Sequence, residues 1–168
     1  MEQSVFINLE ETILAGDILD IGRDNYGIIY NLFKSYDKNG DVEYIEKGKE
    51  SNIKEKKYDN CVLFFSLSSI INNIEKQKII DEIHCCLKND GLLYIWDIDK
   101  EGLKPYENHI KVYMPDKSLK EFDIKDNNPL KQSSGEKTLA LLEKEFQILD
   151  FKSGAQIYYI MCKKRRKN

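Results

Sequence analysis

The sequence has no apolar run near the ~20 residues that a membrane-crossing helix requires. Its start, MEQSVFINLEE, lacks the charged-then-apolar order of a secretory signal. Both absences predict a cytoplasmic protein without a membrane segment. Cys61, Cys85, Cys86 and Cys162 contain no CxxC pair and no Cys/His ligand spacing. Adjacent cysteines such as Cys85 and Cys86 do not normally bridge each other, so reduced, mostly buried thiols are expected. His84 and His109 have no neighbouring cysteine or carboxylate cluster, which leaves a metal site unsupported. A strong excess of one charge is also lacking: 26 basic against 29 acidic residues give −3, which argues against a dedicated nucleic-acid binder. The one basic concentration, Lys163 to Lys167, could attract phosphates by counterion release. Without interleaved aromatics it reads as a solvated, frayed terminus.

What is present is ordinary for a globular protein: 168 residues, 41% hydrophobic and 33% charged. That predicts a single domain over residues 1–168 with a substantial core. The organising stretch is Asp17–Tyr36. Ile18-Leu19-Asp20-Ile21 is a short strand that breaks at Gly22, and the chain re-enters regular structure at Gly27. Ile29, Leu32, Phe33 and Tyr36 then recur at the spacing of one buried helix face, predicting a helix over about 27–37. Strand, glycine turn and helix begin a βαβ unit.

The rest alternates similarly. FINLEETILAG suggests a short N-terminal helix capping a sheet. DVEYIE (41–46) reads as a strand, and Cys61–Phe65 as a strand buried on both faces. Asn72 and Glu75 resemble a capping box, opening a helix with Ile79, Ile80, Ile83 and Leu87 on one face. His84, beside that face, reads as a packing histidine. Asn89-Asp90-Gly91 is expected to stop this helix, with Leu92–Ile98 the next buried strand. His109–Met114 and Leu119–Lys125 flank a Pro115–Ser118 turn, predicting a β-hairpin insertion at about 104–128. Ser133 with Glu136 suggests a second capping box. The helix it opens carries Leu139, Leu142 and Phe146 on one side, and two antiparallel strands follow, 147–152 and 156–163. Strands alternating with helices imply an α/β fold with a mainly parallel sheet.

Four blocks in order carry a family resemblance: ILDIG (18–22), YDNCVLFFSLSSI (58–70), EKQKIIDEIHCCLKNDGLLYIWDID (75–99) and the closing helix with its strand pair. Together they resemble class I S-adenosylmethionine-dependent methyltransferases. The resemblance implies a Rossmann-like sandwich with a terminal antiparallel strand pair. One βα unit is short, because the interval from Ile21 to Lys57 holds one helix and one strand where a βαβ crossover takes ~30 residues. It implies S-adenosylmethionine as cofactor, with Asp20, Gly22 and Gly27 at its methionine end and Ser66, Leu67 and Ser68 on the methyl-donor side. Glu46 is the first choice for the ribose and Glu43 the second; both also read as solvent-facing strand residues. Asp97 is a candidate acceptor-side base, or a polar residue ending a strand. The turn departs from DxGxGxG: Arg23, Asp24, Asn25 and Tyr26 follow Gly22, and Gly27 falls one residue late. Methyl transfer to a small-molecule or unidentified acceptor is the leading expectation. A catalytically inactive binding domain is the alternative, and a nicotinamide-dependent oxidoreductase, lacking GxGxxG, the weaker third.

Overall fold

The computed structural model describes residues 3–22, 27–36, 39–46, 57–100 and 102–167, without the Glu46 side chain. Arg23–Tyr26, singled out above, and residues 47–56 lie outside the described residues. Nine strands and three α-helices follow in order among them: β1 Gln3–Asn8, β2 Ile18–Gly22, α1 Ile28–Lys34, β3 Val42–Glu46, β4 Tyr58–Phe64, α2 Asn73–Cys86, β5 Leu87–Ile98, β6 Tyr106–Tyr113, β7 Leu119–Asp126, α3 Gly135–Leu142, β8 Phe146–Gly154 and β9 Ile157–Lys164.

The main sheet runs β3-β2-β4-β5-β9-β8. β3, β2, β4 and β5 are mutually parallel, and β9 and β8 join antiparallel. Each central strand alternates its side chains between two cores, the reason its sequence is largely apolar. Ile18, Val62, Phe64, Tyr94 and Trp96 face one core with Ile28, Ile29, Leu32 and Phe33 of α1. Leu19, Ile21, Leu63, Leu93 and Ile95 face the other, with Ile79, Ile80 and Ile83 of α2 and Leu142 of α3. Burying one such side chain stabilises the fold by roughly 1.5–3 kcal/mol.

The predicted hairpin forms, but it does not extend this sheet. β6 and β7 pair antiparallel, β1 pairs in parallel with β6, and the three strands make a separate sheet over the α1-side core. The N-terminal segment is therefore a strand rather than the expected helix. Val5 and Ile7 are buried while Ser4, Phe6 and Asn8 are exposed, the period-two alternation of a half-buried strand.

Local differences have identifiable causes. Tyr36 is exposed, its hydroxyl donating to the Glu10 carbonyl, because α1 ends at Lys34. α2 ends at Cys86, not at Asn89–Gly91, since Leu87 turns extended and pairs with Tyr58. Positive φ falls on Asp90, not Gly91. Gly91 is needed instead for close approach, as a Cβ there would lie 2.9 Å from the Lys88 carbonyl oxygen. Asn72 caps α2 as expected, accepting the Glu75 amide at 2.8 Å, but α3 is capped by Ser134 one residue later than read. Ser133 pairs with Lys100. The basic tail is tied down over residues 163–167. Lys164 donates to the Leu87 carbonyl at 2.7 Å, Arg165 to the Phe146 carbonyl at 3.0 Å, and Arg166 contacts Asp90 at 2.8 Å.

Candidate functional site

β2 leads into α1 on one face of the sheet, and β4 leads into α2 on the other. With β3 and β4 on opposite sides of β2, strand order reverses between β2 and β4. A parallel sheet opens a ligand crevice outside its carboxyl ends at such a reversal. Here that edge carries Gly22, Glu46 and Phe64, which stand in register across β2, β3 and β4.

Asp20 and Gly22 alternate with Ile21 and so point to the α1 face. Among the described residues the Asp20 carboxyl accepts no hydrogen bond. It is 8% exposed, and burial pushes its pKa up to about 7. Gly22, buried and in register with Phe64, contributes no side chain to that row. Gly27, at φ +70, is the N-cap of α1. Among the described residues a Cβ there would meet the Asn31 side-chain nitrogen, at an ordinary 3.7 Å, and its left-handed backbone calls for glycine.

Two side chains hold the end of β2. The Ser66 hydroxyl donates to the Ile21 carbonyl and the Tyr44 hydroxyl to the Gly22 carbonyl, at 2.5 and 3.2 Å. Sequence separations of 45 and 22 residues hide both contacts from local patterns. Phe65 takes φ +55 at the end of β4, and its ring packs edge-on against Phe64 and Phe122. A 3-10 turn, Leu67–Ser69, then leads toward α2.

Asp97 lies on the opposite face from Asp20 and has no exposed surface. One carboxylate oxygen accepts the Ser68 amide at 3.0 Å and the other its neighbour Ile98 amide at 2.8 Å. Burial raises its pKa, with the Ser68 and Ile98 bonds opposing the rise. Its visible job is to clamp the 3-10 turn to β5. Leu67 is buried in the α2-side core and Ser68 is 7% exposed. Glu43 points away from the crevice edge, accepting from Lys57 at 2.9 Å and from the Tyr58 hydroxyl at the start of β4. Glu46 ends β3 in register with Gly22. The structure thus gathers Asp20, Gly22 and Ser66 around the end of β2 and pairs Ser68 with Asp97 beneath the other face.

This architecture defines a Rossmann-like class I methyltransferase fold, one βα unit short. Solved structures agree. A SAM-dependent methyltransferase from Aquifex aeolicus superposes with TM-score 0.59 at 14% identity, over 89% of this chain and 82% of that one. One from Mesorhizobium loti gives 0.58 at 9%, over 88% and 90%. The Burkholderia thailandensis 1,6-didemethyltoxoflavin-N1-methyltransferase, with 1,6-didemethyltoxoflavin and S-adenosylhomocysteine bound, gives 0.55 at 13%, over 89% and 71%. No protein-family model and no curated protein matches the sequence. No helix among the described residues is long and apolar enough to cross a membrane.

Proposed function

We propose that the β2–β4 crevice binds S-adenosylmethionine and that the protein transfers its methyl group to a small-molecule acceptor. The observation that carries this reading is the Asp20–Gly22 pair on the α1 face at the strand-order reversal. A buried carboxyl that accepts no hydrogen bond among the described residues, two positions before a glycine at the strand end, suits a cationic ligand. The named methyltransferases of like fold, one of them holding S-adenosylhomocysteine, support the same choice.

When bound, the cofactor supplies an electrophilic methyl group on a sulfonium. The chain then needs no nucleophile of its own; it has to hold donor and acceptor in line and keep water out. Asp20 balances the positive charge, Gly22 and Gly27 let the backbone approach, and Glu46 receives the ribose hydroxyls through charge-assisted bonds. Ser66 and Leu67 shape the donor side. Asp97 acts as a positioning residue for Ser68 and not as a base, since a fully buried carboxylate engaged by two amides has no path to an acceptor proton.

A second reading, cofactor binding without transfer, is favoured by the closed ground beyond β4. Phe64, Phe65, Leu67 and Asp97 are all buried there. Calorimetry tests the shared core of both readings. Titrations with S-adenosylmethionine and S-adenosylhomocysteine are expected to show saturable binding that Gly22→Val abolishes and Glu46→Ala weakens. Absence of heat at millimolar cofactor would rule both out; binding untouched by Gly22→Val would place the site elsewhere.

A further inference from the structure

We propose that the outer edge of β8 is a self-association surface whose partner is a second copy of this chain. β8 is the last strand of the main sheet, and among the described residues no strand pairs with its outer edge. Such an edge presents N–H and C=O groups that can take up another strand. Which of them face outward follows from the two ends of β9. The Asp99 amide donates to the Gln156 carbonyl at 2.8 Å, and the Arg165 amide to the Glu145 carbonyl at 3.0 Å. Bonded and non-bonded pairs alternate along an antiparallel ladder. Counting from either end gives the same phase, in which Ile157, Tyr159 and Met161 turn their backbone groups toward β8. Their register partners Gly154, Lys152 and Asp150 turn toward β9. Phe151 and Ser153, between them, point their N–H and C=O groups away from the sheet.

The side chains then select one register. Asp150 and Lys152 share the α1 face, where Lys152 lies 3.5 Å from Asp150 and 6.0 Å from the centre of the Tyr159 ring. Their side chains are 38% and 75% exposed, so a second copy can reach both. Phe151 points to the other face and packs, partly buried, against the α2-side core. A two-fold axis through Phe151, perpendicular to the sheet, joins its outward N–H and C=O to those of its copy. The same axis sets Asp150 opposite Lys152 of the second copy, and Lys152 opposite Asp150 of that copy. An axis at Asp150 or Lys152 would oppose like charges, and one at Ser153 leaves both charges unmatched. Charges on an edge strand normally deter pairing. Here their order admits one partner strand, the same edge running antiparallel. The register shift around Leu149 and the end of β8 at Gly154 keep the ladder short, so the dimer is weak.

Sedimentation of the full chain at rising concentration tests this. A reversible dimer is expected, with Kd on the order of 100 μM, and it weakens as salt is raised. Asp150→Lys and Lys152→Glu each place like charges across the axis and are each expected to weaken self-association about tenfold. Both substitutions leave the ladder to β9 intact. An equimolar mixture of the two variants restores opposite charges at both contacts, and is expected to associate as the parent does. That recovery also shows that both variants are folded. A parent that stays monomeric up to about 1 mM would overturn the proposal. So would single variants that self-associate like the parent, or a mixture that remains monomeric.

Discussion

The Ser66 hydroxyl and the Ile21 carbonyl, 2.5 Å apart, join the carboxyl ends of β4 and β2. This bond fixes the spacing of the two strands between which the crevice opens. Ser66 is 2% exposed, so removing its hydroxyl leaves a buried carbonyl without that donor. Ser66→Ala is expected to lower stability by about 1–2 kcal/mol and to weaken cofactor binding together with it. Urea denaturation alongside calorimetry checks this. Full stability with intact binding would show that the strand ends are held by packing alone.

Asp20 gives the protein a definite pH dependence. Its carboxyl is raised from 3.8 to about 7 by burial, so the folded state holds this proton more tightly than the unfolded chain. The associated stability is fully present below 3.8 and is lost as pH rises through about 7. Asp20→Asn is expected to flatten that part of the stability–pH curve. Denaturation of both proteins across the window is the measurement, and parallel curves would refute the assignment to Asp20.

Cofactor binding should shift the same group. A sulfonium beside Asp20 favours the carboxylate, so binding near neutral pH is expected to release a proton. Calorimetry in buffers of differing ionisation enthalpy counts it. Proton uptake would contradict placement of the cationic centre near Asp20.

Asp97 is expected to behave as a structural clamp. Asp97→Ala leaves the buried Ser68 and Ile98 amides without their acceptor and is expected to cost about 2 kcal/mol, even without ligand. Asp97→Asn, retaining an acceptor oxygen, should recover much of it. If Asp97→Ala matches the parent in thermal denaturation yet loses methyl transfer, the carboxylate acts on substrate instead.

The tail also has a measurable role. Lys164 is buried and donates to the Leu87 carbonyl at the junction of α2 and β5. Lys164→Met is expected to lower stability by about 1–2 kcal/mol, with little dependence on salt. Arg166→Ala, losing an exposed ion pair with Asp90, should be nearly silent. Equal melting temperatures for parent and Lys164→Met would return the tail to the status of a solvated end.

The parallel strands were legible because each is a short, mainly apolar or alternating run bounded by turn residues. Helix α2 was equally clear from its cap. What stayed hidden depends on long-range pairing. β1 looked helical because FINLEETILAG mixes two periods, and only β6, about a hundred residues later, makes it a strand. The docking of the basic tail on Asp90, Leu87 and Phe146 could not be read from a charge run. At the candidate site, Asp20, Gly22 and Gly27 were named through the family resemblance. The bond from Ser66 to Ile21 and the clamp by Asp97 could not be named in advance, since each joins residues brought together only by the finished sheet.

The most direct test of the account maps backbone amide shifts by nuclear magnetic resonance as S-adenosylhomocysteine is added. The account predicts saturable shifts at Gly22, Gly27, Ser66, Leu67 and Ser68, with Ser153 and Tyr159 little changed. Shifts confined to Ser153, Ile157 and Tyr159, or no shifts at saturating ligand, would contradict it.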